Sequence, residues 1–171
     1  LFVISLEETE GIPLNKYTKM STPKNDPDVV EAILAEQSNN PASAFLAVRR
    51  LQKWTERPDW REILPAFARC VRIIRSVKVD VQKLKVNPKK FVEEEEEKLY
   101  DAIQENVKAK PSSVDELLNI VVKLIPSINA FFDKVLVMAE DEKIKQNRLA
   151  LVGRIANLSD GIADLSKLEG F

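Results

Sequence analysis

Three arginines at a constant spacing of three, Arg69, Arg72 and Arg75 in "FARCVRIIR", are the residues best placed to do chemistry, and that chemistry is the gripping of anions. On a helix they form one gently drifting stripe, with Val71 and Ile74, and Cys70 and Ile73, supplying the apolar side. A guanidinium forks onto phosphate oxygens or lies flat on an exposed base, and Lys78 extends the row. The alternative is internal: the same arginines could pair with an acidic face on a neighbouring helix, for instance the one holding Glu93 to Glu97.

Covalent chemistry has much less to work with. There is no histidine among the 171 residues, which removes Ser-His-Asp and Cys-His nucleophiles and His-metal sites. The single cysteine, Cys70, can form neither an internal disulfide nor a tetrahedral zinc site, and its apolar neighbours suit a small core residue. The four glycines are too scattered for a phosphate-cradling loop. "EEEEE" at 93–97 reads as a solvated helix face rather than an acid/base pair. No catalytic centre is expected in this chain, and no cofactor.

Charge is distributed unevenly. Between Arg49 and Lys90 there are thirteen Lys or Arg against four acids, so with an overall charge of minus one the remainder carries minus ten. A field of one sign on one side attracts polyanions, nucleic acid above all, or an acidic partner helix if the module binds protein instead.

The elements that must position these residues are helical. Few glycines and long runs of Leu, Ile, Val, Ala, Glu and Lys predict an all-α chain, and 44% apolar content over this length predicts one sizeable core. Polar-Pro pairs mark helix starts at Asp26-Pro27, Asn40-Pro41, Pro58 and Asn87-Pro88. The expected apolar stripes are Val29, Val30, Ile33 and Leu34; then Phe45, Val48, Leu51 and Trp54; then Phe91, Leu99, Ile103 and Val107. Pro65 is expected to break or bend the third helix and Pro126 to kink the fifth, which follows a capping box at "SVDE", 113–116. The last helix begins near Glu140 and carries Ile144, Leu151, Ile155, Leu158 and Ile162. Six helices with short links read as a bundle over 26–171, preceded by a poorly defined arm at 1–25. The apolar run "LLNIVVKLIPSINAFF" is broken by Lys123 and Pro126 before the roughly 18 residues a membrane span needs. A reducing, cytosol-like compartment is expected, and the start at Leu1 without Met or a basic leader suggests a piece of something longer.

"FARCVRIIR", with "INAFFDKVLVMAEDEKIKQNRLALVGRIANLSDGIADLSKLEGF" running to the last residue, resembles the C-terminal part of the β subunit of bacterial-type, two-subunit glycyl-tRNA synthetases. "DPDVVEAILA" is similar to the segment that opens this region, so the resemblance covers about residues 26–171. It implies a helical anticodon-binding domain of the DALR type, with "KQNRLAL" at the place of the name-giving motif and Arg148 in the position of the family arginine. It implies the tRNA(Gly) anticodon loop as partner, and the rest of the β subunit with an α subunit in an α2β2 assembly. Glycine activation with ATP and Mg would then belong to the α subunit. The location implied is the bacterial cytoplasm, or the plastid stroma.

Glycine anticodons carry cytosine at the second and third positions, and unpaired bases are read by stacking and along their Watson-Crick edges. The residues expected to contact tRNA are Arg69, Arg72, Arg75, Lys78, Phe131, Asn147 and Arg148. Two of these have structural alternatives. Arg148 falls on the inward stripe of the last helix, where Asp133 or Asp141 could pair with it. Phe131 and Phe132 are adjacent, so only one can point fully into the core.

Overall fold

The computed structural model describes residues 26–77 and 80–171, so the expected arm at 1–25 and Lys78 lie outside the described residues. The helices are α1 (Pro27–Gln37), α2 (Pro41–Thr55), α3 (Trp60–Ser76), α4 (Glu94–Asn106), α5 (Val114–Lys134) and α6 (Glu142–Ala156). Among the described residues there is no strand, and no helix is long and apolar enough to cross a membrane.

Caps account for most of the boundaries. Asn40 Oδ1 accepts from Ser43 N, Ser113 Oγ from Glu116 N, and Asp141 Oδ1 from the amides of Lys143 and Ile144, each supplying an acceptor to a first-turn N–H. The expected box at 113–116 is only half formed, because the Glu116 carboxylate turns back to Ser112 instead. The reciprocal box forms on α4, where the Glu93 side chain caps and Glu96 Oε2 accepts from Glu93 N and Val92 N at 2.9 Å. That moves the start of α4 to Glu94. Asn87-Pro88 opens only a 3-10 turn, Pro88–Lys90, after which the chain is extended.

Neither internal proline ends its helix. Pro65 and Pro126 each remove one backbone donor, but Leu64, Ala66 and Phe67 around the first, and Leu124 and Ile128 around the second, are buried. Burying a side chain of that size contributes about 1.5–3 kcal/mol, enough to offset one missing hydrogen bond. The last helix stops at Ala156; Leu158 and Ile162 are buried from the turns that follow.

α3 packs against both α5 and α6, while α4 bridges the same pair from elsewhere and α1–α2 forms a hairpin on one side. From Asn147 to Gly153 every residue of α6 is buried, which makes it the central helix. At Gly153 the turn Val81–Lys83 approaches so closely that a Cβ would collide with Val81 Cγ1. Leu34 and Phe45, expected on inward stripes, are exposed. The buried side of the α1–α2 hairpin carries the small side chains Ala32, Ala44 and Ala47 with Ile33, Val48 and Leu51, and Trp54 makes a contact to α5 by donating from Nε1 to Asp115.

The chain after α6 folds back along α1. Gln37 Nε2 donates to Ile162 O, Asp164 N to Ala32 O, Gly161 N to Glu36 and Glu169 N to Asp28. Gly161 sits at φ 76°, a left-handed conformation that allows the reversal. This return brings Asp164 and Phe171 to the end of α3, beside its arginines.

Candidate nucleic-acid interface

The α3 stripe lies at the surface, and the glutamate run does not lock it. Arg69 is half-buried; its guanidinium is 4.6 Å from the Phe132 ring centroid and 3.7 Å from Asp133, with Asn129 at 3.5 Å. Arg75 pairs with Asp164 at 3.1 Å while remaining exposed. Arg72 is exposed, pairs with no carboxylate among the described residues, and lies 5.5 Å from the Phe171 ring. The row is therefore flanked by α5 at one end and by the returning tail at the other, and its middle member carries an uncompensated charge. Exposed pairs such as Arg69–Asp133 are worth about 0–1 kcal/mol, so a phosphate can displace the carboxylate.

The expectation for the corner requires correction. Arg148 is only 6% exposed: Nε and Nη2 donate to Glu96 Oε1 and Oε2 at 3.2 Å, and Nη1 donates to Leu136 O at 2.9 Å. It is an internal strut and offers RNA no free face. Its partner is neither Asp133 nor Asp141 but Glu96, the one fully buried member of a run expected to be solvated. Burial works against the charge on Glu96, but the Arg148 fork and the amides of Glu93 and Val92 outweigh it and hold the carboxyl below its ordinary range.

Asn147 is likewise reassigned. It is buried, accepts from Asn87 N at 2.7 Å and donates to Asn87 O at 3.1 Å, pinning the segment before α4 onto α6. Phe131 is fully buried in the core, so it has no face for a base. Phe132 is the half-buried ring, edge-on to Phe131 at 5.5 Å and under Arg69. Of the seven residues expected to contact tRNA, the surface row retains Arg69, Arg72 and Arg75. Cys70 is a core residue as expected, and burial pushes its thiol up to about 12.

Two features lie outside the seven expected residues. Phe132 and Phe171 give the arginine row aromatic flanks; the Phe-Phe pair already offered one outward ring as a stacking surface, whereas nothing local pointed to Phe171. A second cluster of basic side chains lies between α2 and α5, where Arg57 stacks 4.2 Å over the Trp54 ring beside Arg50 and Lys53, although Arg50 pairs with Asp115 at 3.4 Å and Arg57 with Asp59 at 2.6 Å. Its signal was the excess of Arg and Lys between 49 and 61. No group of three or more His, Cys, Asp or Glu side chains among the described residues is placed to hold a metal ion.

Comparisons with known proteins place the chain in a family. The chain is 34% identical over 148 residues to "Glycine--tRNA ligase, chloroplastic/mitochondrial 2" of Arabidopsis thaliana, an overlap of 85% of this chain and 14% of that protein. It is 32% identical to the "Glycine--tRNA ligase beta subunit" of Persephonella marina, covering 84% of this chain and 20% of the subunit. The beta subunit of Thermodesulfovibrio yellowstonii is 43% identical over 115 residues, 64% of this chain and 16% of the subunit. The chain thus spans about a fifth or less of the length of these relatives. The "DALR anticodon binding domain" family matches residues 63–165, a span that holds the arginine row, the buried Glu96–Arg148 pair and the returning tail as far as Leu165. With more than half of its length matched, the chain belongs to the DALR anticodon binding domain family.

Proposed function

We propose that this chain recognises the anticodon loop of tRNA(Gly) as the C-terminal part of a glycine–tRNA ligase β subunit. The observation that carries this reading is Arg72, a solvent-facing guanidinium beside an aromatic ring at the centre of an arginine row, in a domain whose family binds anticodons. Such a row grips loop phosphates, and the rings beside it provide surfaces for unstacked bases. Phosphate contacts supply affinity and register; discrimination comes from base edges.

In this reading residues 26–171 form the tRNA-holding module. Glycine activation with ATP and Mg, and transfer to the tRNA end, take place on the α subunit of an α2β2 enzyme, in the bacterial cytoplasm or a plastid stroma. The exposed Leu34, Phe45 and Leu46 on α1 and α2 supply apolar surface for contact with the rest of the β subunit.

A titration of the chain with a glycine anticodon stem-loop, an unrelated stem-loop and heparin tests the proposal. Tighter binding of the first is expected, with log K falling linearly against log salt at about 0.7 per loop phosphate contacted. Arg72→Ala is expected to weaken binding and flatten that slope by about one phosphate. Equal affinity for heparin and both RNAs would favour the other reading, a helical module whose basic face docks an acidic protein.

A further inference from the structure

The two ends of the α3 row are held in different ways. At one end Arg75 Nη2 donates to Asp164 Oδ1 at 3.1 Å, and the same oxygen accepts from Ser166 Oγ at 2.6 Å and from Ser166 N at 3.1 Å. The backbone beneath it is tied down as well, because Asp164 N donates to Ala32 O at 2.8 Å. Partial burial opposes charge on this carboxyl, but the bonds from Ser166 and Arg75 prevail and keep it ionised below the ordinary range. Arg75 therefore has a fixed, charged partner.

Arg69, at the other end, has a loose one. Its Nη2 stands 3.7 Å from Asp133 Oδ1 and its Nη1 3.5 Å from Asn129 Oδ1, both longer than an ordinary hydrogen bond. The Asp133 side chain is 67% exposed and accepts no hydrogen bond among the described residues. It is also badly placed for its own helix, as the last residue but one of α5, where the negative end of the dipole disfavours a carboxylate. Neither capping nor hydrogen bonding gives this acid a structural role; what it meets is the charge of Arg69. The guanidinium does not depend on Asp133 for its position, since the centre of the Phe132 ring lies 4.6 Å away and supports it. Removing the carboxylate leaves Arg69 in place with its charge free.

We propose that Asp133 is a displaceable brake on the α3 row: it neutralises Arg69 until a phosphate takes its place, so that RNA is gripped from the Arg69–Arg72 end while Arg75 stays with Asp164. The inference rests on the tRNA-binding reading above and adds to it what limits the grip and from which end it is made. A phosphate at hydrogen-bond distance outcompetes an acid that reaches the guanidinium only at 3.7 Å, and the acid remains beside Arg69 to recapture it on release. The cost of displacing Asp133 falls on every polyanion alike, which keeps charge alone from holding the domain on an unrelated RNA.

The test measures binding of the full chain to a glycine anticodon stem-loop and to an unrelated stem-loop over a range of salt. Asp133→Asn is expected to tighten both by about two- to fivefold at low salt, the value of one exposed ion pair, and the gain should shrink as salt rises. In an Arg69→Ala background the same change is expected to give no gain, because the charge that Asp133 masks is gone. Arg69→Ala itself is expected to lower the slope of log K against log salt by about 0.7, the share of one loop phosphate, and Arg75→Ala to leave that slope unchanged. Unaltered or weaker binding by Asp133→Asn would overturn the brake while leaving RNA binding intact. A gain just as large without Arg69 would overturn it too, since it would report only the loss of one negative charge. An equal drop in slope for Arg75→Ala and Arg69→Ala would overturn the closed end of the row, and binding of neither stem-loop by any of these proteins would overturn the brake together with the reading beneath it.

Discussion

Arg148 and Arg72 are the same residue type on two adjacent helices, and they do opposite things. At the corner of α4, α6 and the α5–α6 loop, Arg148 meets a fully buried carboxylate and a backbone carbonyl, and its charge is consumed in holding three segments together. On α3, Arg72 meets a ring and solvent, and its charge remains available. What separates them is the company each keeps: a guanidinium taken out of water must find acids inside the molecule, whereas one left in water can wait for an anion from outside.

This contrast can be broken most forcefully at the corner. Arg148→Ala leaves Glu96 buried and unpaired, and is expected to cost about 3–5 kcal/mol in a urea unfolding curve. A loss under about 1 kcal/mol would mean that the pair does not carry the corner. Replacing both partners by apolar residues of similar volume, Glu96→Leu with Arg148→Met, should recover much of the loss, because no charge is then stranded. Asn147→Ala comes next at about 1–3 kcal/mol, since Asn87 N and O lose their partner together.

Acid sharpens the same comparison. Glu96 ionises below its ordinary range when folded, so its contribution is fully present above the pH at which an unfolded glutamate titrates, and is lost as pH falls through the depressed folded value. Arg148 stays charged throughout. Unfolding free energy measured from neutral to acid pH should therefore drop more steeply in the wild type than in Glu96→Gln, and parallel curves would place the acid sensitivity elsewhere. The smallest effect on stability is expected on the ridge: Arg72→Ala should leave the unfolding midpoint within about 0.5 kcal/mol of wild type, even as RNA binding weakens. A large loss there would make Arg72 a structural residue like Arg148.

The legible and illegible parts of the chain divide along similar lines. Caps at Asn40 and Ser113 are written within four residues of the donors they satisfy, so these two helix starts could be read directly, while the last helix, expected near Glu140, begins at Glu142 behind the Asp141 cap. The arginine spacing could be read for the same reason, because three-residue steps share a helix face whatever lies beyond. Glu96 could not. Its box with Glu93 is local and was hidden in a run of identical residues, while its partner stands 52 residues away on another helix. Phe131 and Phe132 posed a choice that only the position of the core could resolve, and it buried the first. Leu34 and Phe45 misled because a stripe predicts one inward face, whereas the buried faces of α1 and α2 are the ones that carry Ala32, Ala44 and Ala47.

By itself, the amino-acid order determined the helical class, most of the capped starts, the lack of nucleophile and metal chemistry based on histidine, and the concentration of positive charge between Arg49 and Lys90. These are properties of composition and of neighbours within one or two turns, where backbone geometry fixes who meets whom. The tertiary structure alone decided which charges cancel. Only when α4, α6 and the returning tail are packed do Glu96 and Asp164 arrive beside particular arginines, and ion pairing falls off over a few ångströms, a distance that sequence separation does not encode.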